Sequence, residues 1–276
     1  MSADSYFQVG QIECVVLPDG GGVIGAERMM KRFPNGDESA FRQAYAAIGL
    51  DFDQADSSMN VLLAKVGDQT VLIDSGEGGK PNGGGLLTNM QAAGIAPESV
   101  TLVVITHSHG DHVQGILVDD TTAAFPNASY VISKVEMAFW QKRIDEGTAA
   151  HAPIVALMQA RGLRLIEMDE SILPGVTAVP IPGHTPGQIG ILFESNGETL
   201  IHLADALHSP MQFAHPEWSP RFDADSTLSV QTRRAVLARC ADDHLLTMFY
   251  HLTFPGVVRI ARAEDGMGFA MSKEGH

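Results

Sequence analysis

The chain of 276 residues contains only two cysteines, Cys14 and Cys240, which lie far apart in the sequence. Two distant cysteines do not form a disulfide framework, so we expect both to be buried free thiols. No apolar stretch reaches the ~18 residues that a membrane-spanning helix requires. The N-terminus shows no basic segment followed by an apolar one, so no signal peptide is visible. These absences favour a cytoplasmic protein without a membrane partner, while a trimmed secreted form stays open.

Basic residues are also scarce, with 18 Lys and Arg against 33 Asp and Glu and a net charge of −15. A surface with this excess of negative charge repels nucleic acid and anionic lipid. We therefore expect a small-molecule partner and no nucleic acid, and we leave a homodimer open. Hydrophobic residues make up 45% of the chain, which is ordinary for a globular protein. The length suits a single domain covering residues 1–276.

The most informative segment is 106–112, which reads Thr-His-Ser-His-Gly-Asp-His. Imidazole and carboxylate groups together suit zinc, and also manganese, iron or cobalt. His107 and His109 are two positions apart, so they project from the same side of an extended segment. Gly110 permits a sharp turn, after which Asp111 and His112 can face a second position. Four donors within six positions favour two metal ions over one.

Three further donors follow apolar segments that we predict to be strands. His184 lies in Pro-Gly-His-Thr-Pro-Gly, Asp205 ends an apolar run, and His251 follows another. Loops at strand ends are where rigid scaffolds commonly present catalytic groups. The sequence therefore predicts one site assembled from several such loops. His202, which is also in an apolar run, is predicted to be a core histidine.

These donors, in this order and spacing, resemble the metallo-β-lactamase superfamily, and in particular its dinuclear hydrolases. Within that branch the chain is most similar to methyl parathion hydrolase and the N-acyl homoserine lactonases. The resemblance implies an α/β fold, a four-layer αββα sandwich. Apolar patterning predicts strands over 12–17, 60–66, 70–73, 102–105 and 130–132, and helices over 37–48, 86–93, 134–144, 153–161 and 226–239. The first strand is expected to end at Pro18, where Pro-Asp-Gly-Gly-Gly begins.

The resemblance also implies how the donors divide between two divalent metal ions, zinc in first place. One ion would be held by His107, His109 and His184, the other by Asp111, His112 and His251, and Asp205 would bridge them. A metal-bridging hydroxide would be the nucleophile, and the catalytic carboxylates Asp111 or Asp205 would then pass the proton on. Asp74 matches a carboxylate of the superfamily that supports a ligand histidine.

The implied activity is hydrolysis of ester-type bonds in small apolar substrates, with a lactonase or esterase favoured. A phosphotriesterase resembling methyl parathion hydrolase is the alternative. A mononuclear iron persulfide dioxygenase, which uses a related motif, is the alternative from another class. Trp140 and His208 are predicted to line the substrate pocket; the alternatives are a helix face packed on the core for Trp140 and a plain loop role for His208. Position 209 is serine where the lactonases carry a tyrosine, so a tyrosine-assisted mechanism would need another donor, such as Tyr250.

Overall fold

The computed structural model of the protein describes residues 5–78, 84–148, 151–263 and 268–272. Within these ranges the strands form two seven-stranded sheets. The first sheet contains, in spatial order, β1 (Tyr6–Val9), β2 (Ile12–Val23), β3 (Asp56–Val66), β4 (Gln69–Ile73), β5 (Leu102–Val104), β6 (Ser129–Ser133) and β7 (Leu163–Ile166). The second contains β8 (Ser171–Leu173), β9 (Val176–Pro180), β10 (Ile189–Ser195), β11 (Glu198–His202), β12 (Leu246–Met248), β13 (Val257–Arg262) and β14 (Phe269–Met271), also in spatial order.

Both faces of each sheet are buried. Successive residues of a strand point to opposite sides of the sheet, so neighbouring residues enter different cores. Leu62 and Val104 belong to the core between the two sheets. Their neighbours Leu63 and Val103 belong to a second core, between the first sheet and the helices outside it. Apolar residues at every position of these strands, rather than at alternate ones, are therefore explained by burial on two sides.

Helices cover the outer faces and complete the four layers. They are α1 (Gly25–Arg32), α2 (Glu38–Ala47), α3 (Leu86–Ala92), α4 (Gly110–Val113), α5 (Lys134–Asp145), α6 (Ala152–Ala160), α7 (Met211–Ala214) and α8 (Ser226–Asp242). Residues of α3, α5 and α6 share a core with the first sheet, and residues of α8 share one with the second. The predicted αββα sandwich is confirmed. Helices α1 and α2 form an additional aromatic cluster, in which the Phe41 and Trp218 rings stack at 4.4 Å.

Strand β2 does not end at Pro18, so that prediction was wrong. The strand continues to Val23, with a shift in its pairing to β3 between Pro18 and Gly20. The extra residue is Asp19, whose buried carboxylate accepts hydrogen bonds from the backbone N–H groups of Glu77 (2.8 Å) and Leu86 (3.0 Å). A β-bulge thus accommodates the turn-forming residues inside the strand.

The placement of Trp140 corrects a second prediction. Its side chain is 0% exposed and belongs to the core between α5 and the first sheet, so it does not line an open pocket. Helical spacing places Met137 and Trp140 on the same inward face of α5. Cys14 and Cys240 are buried free thiols, as predicted, and burial raises their pKa values to about 12 and about 11. Among the described residues, no helix is both long and apolar enough to cross a bilayer.

Replacing Trp140 with alanine should therefore cost about 3–5 kcal/mol of unfolding free energy, because it leaves a large cavity in a packed core. The measurement is denaturant unfolding of the variant beside the parent protein. Phe139→Ala, on the more exposed side of the same helix turn, is the matched control and should cost markedly less. Equal losses at the two positions would contradict the core assignment.

Candidate metal centre

The candidate ligands meet because the strands that precede them end at the same edge of the sandwich. Strands β4, β5 and β6 are parallel neighbours, and so are β11 and β12. Strand β9 runs in the direction of β11, since each pairs antiparallel with β10. The carboxyl ends of parallel strands lie at one edge of a sheet, so the loops after β4, β5, β9, β11 and β12 converge. These loops carry Asp74, the 107–112 motif, His184, Asp205 and His251.

The first group of donors consists of three imidazoles and one carboxylate. His109 Nδ1 lies 3.1 Å from His107 Nε2 and 2.9 Å from His184 Nε2. Asp205 Oδ2 lies 3.2 Å from His184 Nε2 and 3.7 Å from His107 Nε2. All four ligand atoms lie within 4.8 Å of one another. Three ring nitrogens that point at a common position are the arrangement in which a cation is held.

The second group lies on the other side of Asp205. His251 Nε2 is 3.3 Å from Asp111 Oδ2, and His112 Nε2 is 3.8 Å from the same oxygen. Asp205 contributes again: its Oδ1 is 3.2 Å from His112 Nε2 and its Oδ2 is 3.3 Å from His251 Nε2. The Asp205 carboxylate is therefore shared between the two groups, which together suit a dinuclear centre.

Asp74 fixes the tautomers of two of the histidines. His112 Nδ1–H donates to Asp74 Oδ2 at 2.8 Å, because a carboxylate can only accept. The Thr106 hydroxyl also donates to Asp74 Oδ2, so it accepts from His107 Nδ1–H at 3.1 Å. Both Nδ1 atoms thus act as donors, and both rings direct Nε2 at the centre. Asp74 thus contacts His112, one of the candidate ligands that it was predicted to support.

His184 and His251 are oriented in the same way by acceptors from other segments. His184 Nδ1–H donates to Asp223 Oδ1 at 2.8 Å, and His251 Nδ1–H donates to the Ser58 carbonyl at 2.9 Å. Arg233 supports this arrangement from α8: its guanidinium lies 3.5 Å from Asp223 and donates to the carbonyl oxygen of Ala206 at 2.6 Å. The loops that carry His184 and Asp205 are therefore linked through a buried arginine.

Two polar atoms at the centre of the cluster indicate that these residues fit metal ions. His112 Nε2 and Asp205 Oδ1 are buried and form no hydrogen bond with the described residues. Buried polar atoms in proteins are almost always paired. A donor set of imidazoles and carboxylates, each with a lone pair directed inward, matches the ligand preferences of zinc and similar divalent ions.

Burial and neighbouring charges shift the pKa values of the side chains in the cluster. Burial favours neutral His251, but the Asp205 carboxylate and a hydrogen bond to Asp111 outweigh it and raise the pKa of His251 to about 9. The pKa of His112 is likewise raised well above its usual value, against the effect of burial. Burial lowers the pKa of His109 to about 3. Burial would raise the pKa of Asp205, yet His251 and His112 hold it well below its usual range.

His208, predicted to line the substrate pocket, lies among the candidate ligands. Its side chain is buried, and its Nε2–H donates to Asp205 Oδ2 at 3.1 Å. Asp205, His208 and His251 form a third potential ligand group.

Ser209 is turned away from the cluster and hydrogen-bonds the Tyr45 hydroxyl at 2.8 Å. Tyr250 is not a substitute donor, because its buried hydroxyl donates to the carbonyl of Asp111 at 2.6 Å.

The sequence did not reveal Arg32, Phe222, Asp223 or Glu136, which surround the centre. Arg32 is half-buried at the end of α1, and its Nη1 donates to Ser57 Oγ at 2.9 Å. Burial lowers the pKa of Arg32, while Asp205 and Asp111 oppose that shift, so the guanidinium lies within the field of the cluster. The exposed Phe222 ring lies 5.9 Å from the guanidinium and 5.0 Å from the His208 ring.

A sequence profile of the metallo-beta-lactamase superfamily matches residues 56–239 of the chain. The chain belongs to this superfamily. Among curated proteins it is similar to an N-acyl homoserine lactonase of Bacillus cereus, with 27% identity over 145 residues, 52% of this chain and 53% of that protein. Metallo-beta-lactamase domain-containing protein 1 of Xenopus laevis is 30% identical over 160 residues, 55% of this chain and 60% of that protein. The chain thus aligns with somewhat more than half the length of these relatives.

Solved structures of the superfamily cover nearly all of the chain. AidC, a dizinc quorum-quenching lactonase in complex with a product, superimposes with a TM-score of 0.88 and 26% identity, covering 98% of this chain and 97% of that one. The hydrolase AbOPH superimposes with a TM-score of 0.86 and 27% identity, with the same coverage. These matches confirm the predicted superfamily and fold.

Zinc binding to chelator-treated protein should release protons and strengthen with pH. The pKa of His251 is raised to about 9, and the pKa values of His112 and His184 are also raised. A protonated imidazole must lose a proton to bind a metal. Apparent affinity should rise up to about tenfold per pH unit for each displaced proton, until pH passes about 9, the pKa of His251. Competition with a chromophoric chelator and calorimetry in buffers of different ionisation enthalpy measure both effects. Binding without proton release at pH 7 would contradict these assignments.

Proposed function

We propose that this protein is a dinuclear metal-dependent hydrolase that cleaves ester-type bonds in small substrates, with lactones as the favoured class. The observation that carries the proposal is the position of Asp205. Its carboxylate lies within 3.3 Å of Nε2 atoms from both ligand groups, those of His112, His184 and His251. A shared carboxylate is what two neighbouring dications need to offset their mutual repulsion. The similarity to AidC, a dizinc lactonase, supports the same conclusion.

In this proposal, one metal ion would be held by His107, His109 and His184 and the other by Asp111, His112 and His251, and Asp205 would contribute to both sites. Two bound divalent ions would supply Lewis acidity, which lowers the pKa of water and polarises the scissile group. Zinc is the first choice of metal, and manganese, iron and cobalt suit the same donors.

The protein groups around the reacting position have separate tasks. Asp111 is the better placed of the two catalytic carboxylates to carry a proton to the leaving group, because 28% of its side chain is exposed, against 3% for Asp205. His208 donates to Asp205 and keeps that carboxylate turned toward the ligands. Phe222, whose exposed ring lies beside His208, offers apolar area to a substrate.

Phosphotriesters are the second candidate substrates, and Arg32 is the observation that favours them. Within the described residues, Ser57 Oγ is the one hydrogen-bond acceptor of its guanidinium, so other N–H groups remain available to a ligand. A guanidinium binds phosphoryl oxygens well through its fork of donors.

The mononuclear iron dioxygenase has less support. It would use two histidines and one aspartate, whereas the structure brings a complete second group into contact with Asp205. Metal analysis distinguishes the two classes, because they require two zinc-like ions or one iron per chain.

Asp205→Asn should weaken both metal sites, because it removes the negative charge that they share. We expect the protein to bind two zinc ions per chain and the variant to retain fewer after dialysis. Lactone hydrolysis should fall by more than ~100-fold, since losing even a group outside the ligand shell costs ~10–100-fold. The matched control is Asp242→Asn, at an exposed position in an ion pair with Arg262. Two tightly bound ions and full activity in Asp205→Asn would exclude the bridging role.

Arg32→Gln should lower kcat/KM about 10–100-fold, the value of roughly 1.5–3 kcal/mol for a hydrogen bond from a charged group. The assay compares an N-acyl homoserine lactone with an aryl phosphotriester, and the larger loss identifies the substrate that Arg32 binds. Arg28→Gln, an exposed position on the same helix, is the control and should change neither rate. Similar effects at positions 28 and 32 would show that Arg32 does not contact substrate.

A further inference from the structure

Helix α5 begins with a sequence signature whose carboxylate is used in an unusual way. Ser133-Lys-Val-Glu136 has the pattern of a capping box, in which the glutamate normally reaches back to the N–H of the capping residue. Half of the box is present, since Ser133 Oγ accepts from the N–H of Glu136 at 3.0 Å. The Glu136 carboxylate instead points away from its own helix, toward the metal-ligand loops.

Each oxygen of Glu136 accepts two hydrogen bonds from a different loop. Oε1 accepts from the backbone N–H and the hydroxyl of Ser108, at 2.8 and 2.7 Å. Oε2 accepts from the Thr185 hydroxyl at 2.7 Å and the Gly187 N–H at 3.1 Å. Ser108 lies between two ligand histidines, and Thr185 follows His184 directly. One carboxylate therefore joins the loops that carry the three imidazoles of the first group.

The second of these loops packs directly on the start of α5. A Cβ atom at Gly187 would lie 2.1 Å from the backbone nitrogen of Glu136, so only glycine fits there. The Gly187 carbonyl also accepts from the Ser133 hydroxyl at 2.7 Å. The loop is thus fixed to the helix terminus through both its backbone N–H and its carbonyl.

Glu136 is 0% exposed, and no Lys or Arg in the described part of the chain forms an ion pair with it. A buried carboxylate is costly unless its lone pairs are satisfied. Here four short hydrogen bonds and the positive end of α5 stabilise it. Removing the charge would leave donors from two loops facing each other without a common acceptor.

We infer that Glu136 is a positioning residue for one of the two metal sites. It sets the spacing between the loop of His107 and His109 and the loop of His184, and hence the 2.9 Å separation of His109 Nδ1 and His184 Nε2. The other site is oriented by different groups, because His112 donates to Asp74 and His251 to the Ser58 carbonyl. Glu136 therefore acts selectively on the first site; this inference rests on the proposed dinuclear function.

The test is Glu136→Gln, which keeps the shape of the side chain but presents an N–H₂ group to the donors of one loop. The variant is combined with His251→Ala, which disables the second site, and separately with His109→Ala, which disables the first. Zinc affinity of chelator-treated protein is measured by competition. We expect a loss of about 10–100-fold in the His251→Ala background, as for other groups that orient metal ligands. In the His109→Ala background the change should stay below about threefold, since the histidines of that site are oriented by Asp74 and the Ser58 carbonyl.

Two further variants separate positioning from general loss of stability. Val155→Ala creates a cavity in the core between the first sheet and the helices outside it. It should lower the melting temperature without changing zinc affinity in either background. If Glu136→Gln does not fold, Thr185→Val removes one of the four hydrogen bonds and should produce the same selectivity with a smaller loss. The visible spectrum of the cobalt-loaded first site should also shift in Glu136→Gln and not in Val155→Ala.

The outcomes distinguish the two proposals. A parent protein that binds fewer than two zinc ions would overturn the dinuclear function, and the role of Glu136 with it. Two bound ions together with equal losses in both backgrounds, or with no loss in either, would overturn the positioning role alone.

Discussion

The structure around the centre depends on one interaction, the burial of the Asp205 carboxylate among imidazoles. Its oxygens lie 3.1–3.3 Å from the Nε2 atoms of His112, His184, His208 and His251. A buried carboxylate without cationic partners would be strongly destabilising, so the loops must converge on it together. The backbone contributes as well: Ala204, which precedes Asp205, has a φ of 41°, a strained conformation of the kind found at functional sites.

The histidines can serve as ligands only because the rest of the fold controls their protons. His112 is oriented by a carboxylate that follows β4, and His184 by Asp223 in the loop before α8. His251 follows a strand of the second sheet but donates to Ser58, which lies on the first. The centre therefore depends on how the two sheets are positioned against each other. Residues outside the candidate ligand groups, such as Arg233 and Glu136, hydrogen-bond these loops to one another.

Arg32, one of the residues around the candidate centre, lies outside the segment that the family profile matches. The family profile begins at residue 56, whereas Arg32 is supplied by α1. The aromatic cluster formed by α1, α2, Phe52 and Trp218 holds that helix against the body of the protein. The superpositions on AidC and AbOPH nevertheless cover 98% of the chain, so the fold of these proteins extends beyond the profile match.

The sequence by itself determined the candidate donors, which are closely spaced or follow apolar segments, and it predicted the layered fold through its resemblance to the superfamily. It also indicated Asp74, which follows β4 directly. It did not decide whether Trp140 lines a pocket or packs in the core, since an apolar helix face can do either. Asp223, Glu136 and Arg32 were also missed, because each acts across a distance of tens of residues and no spacing rule connects them to the centre. Tertiary structure decided these roles, since hydrogen bonds between loops form only after the sheets have packed.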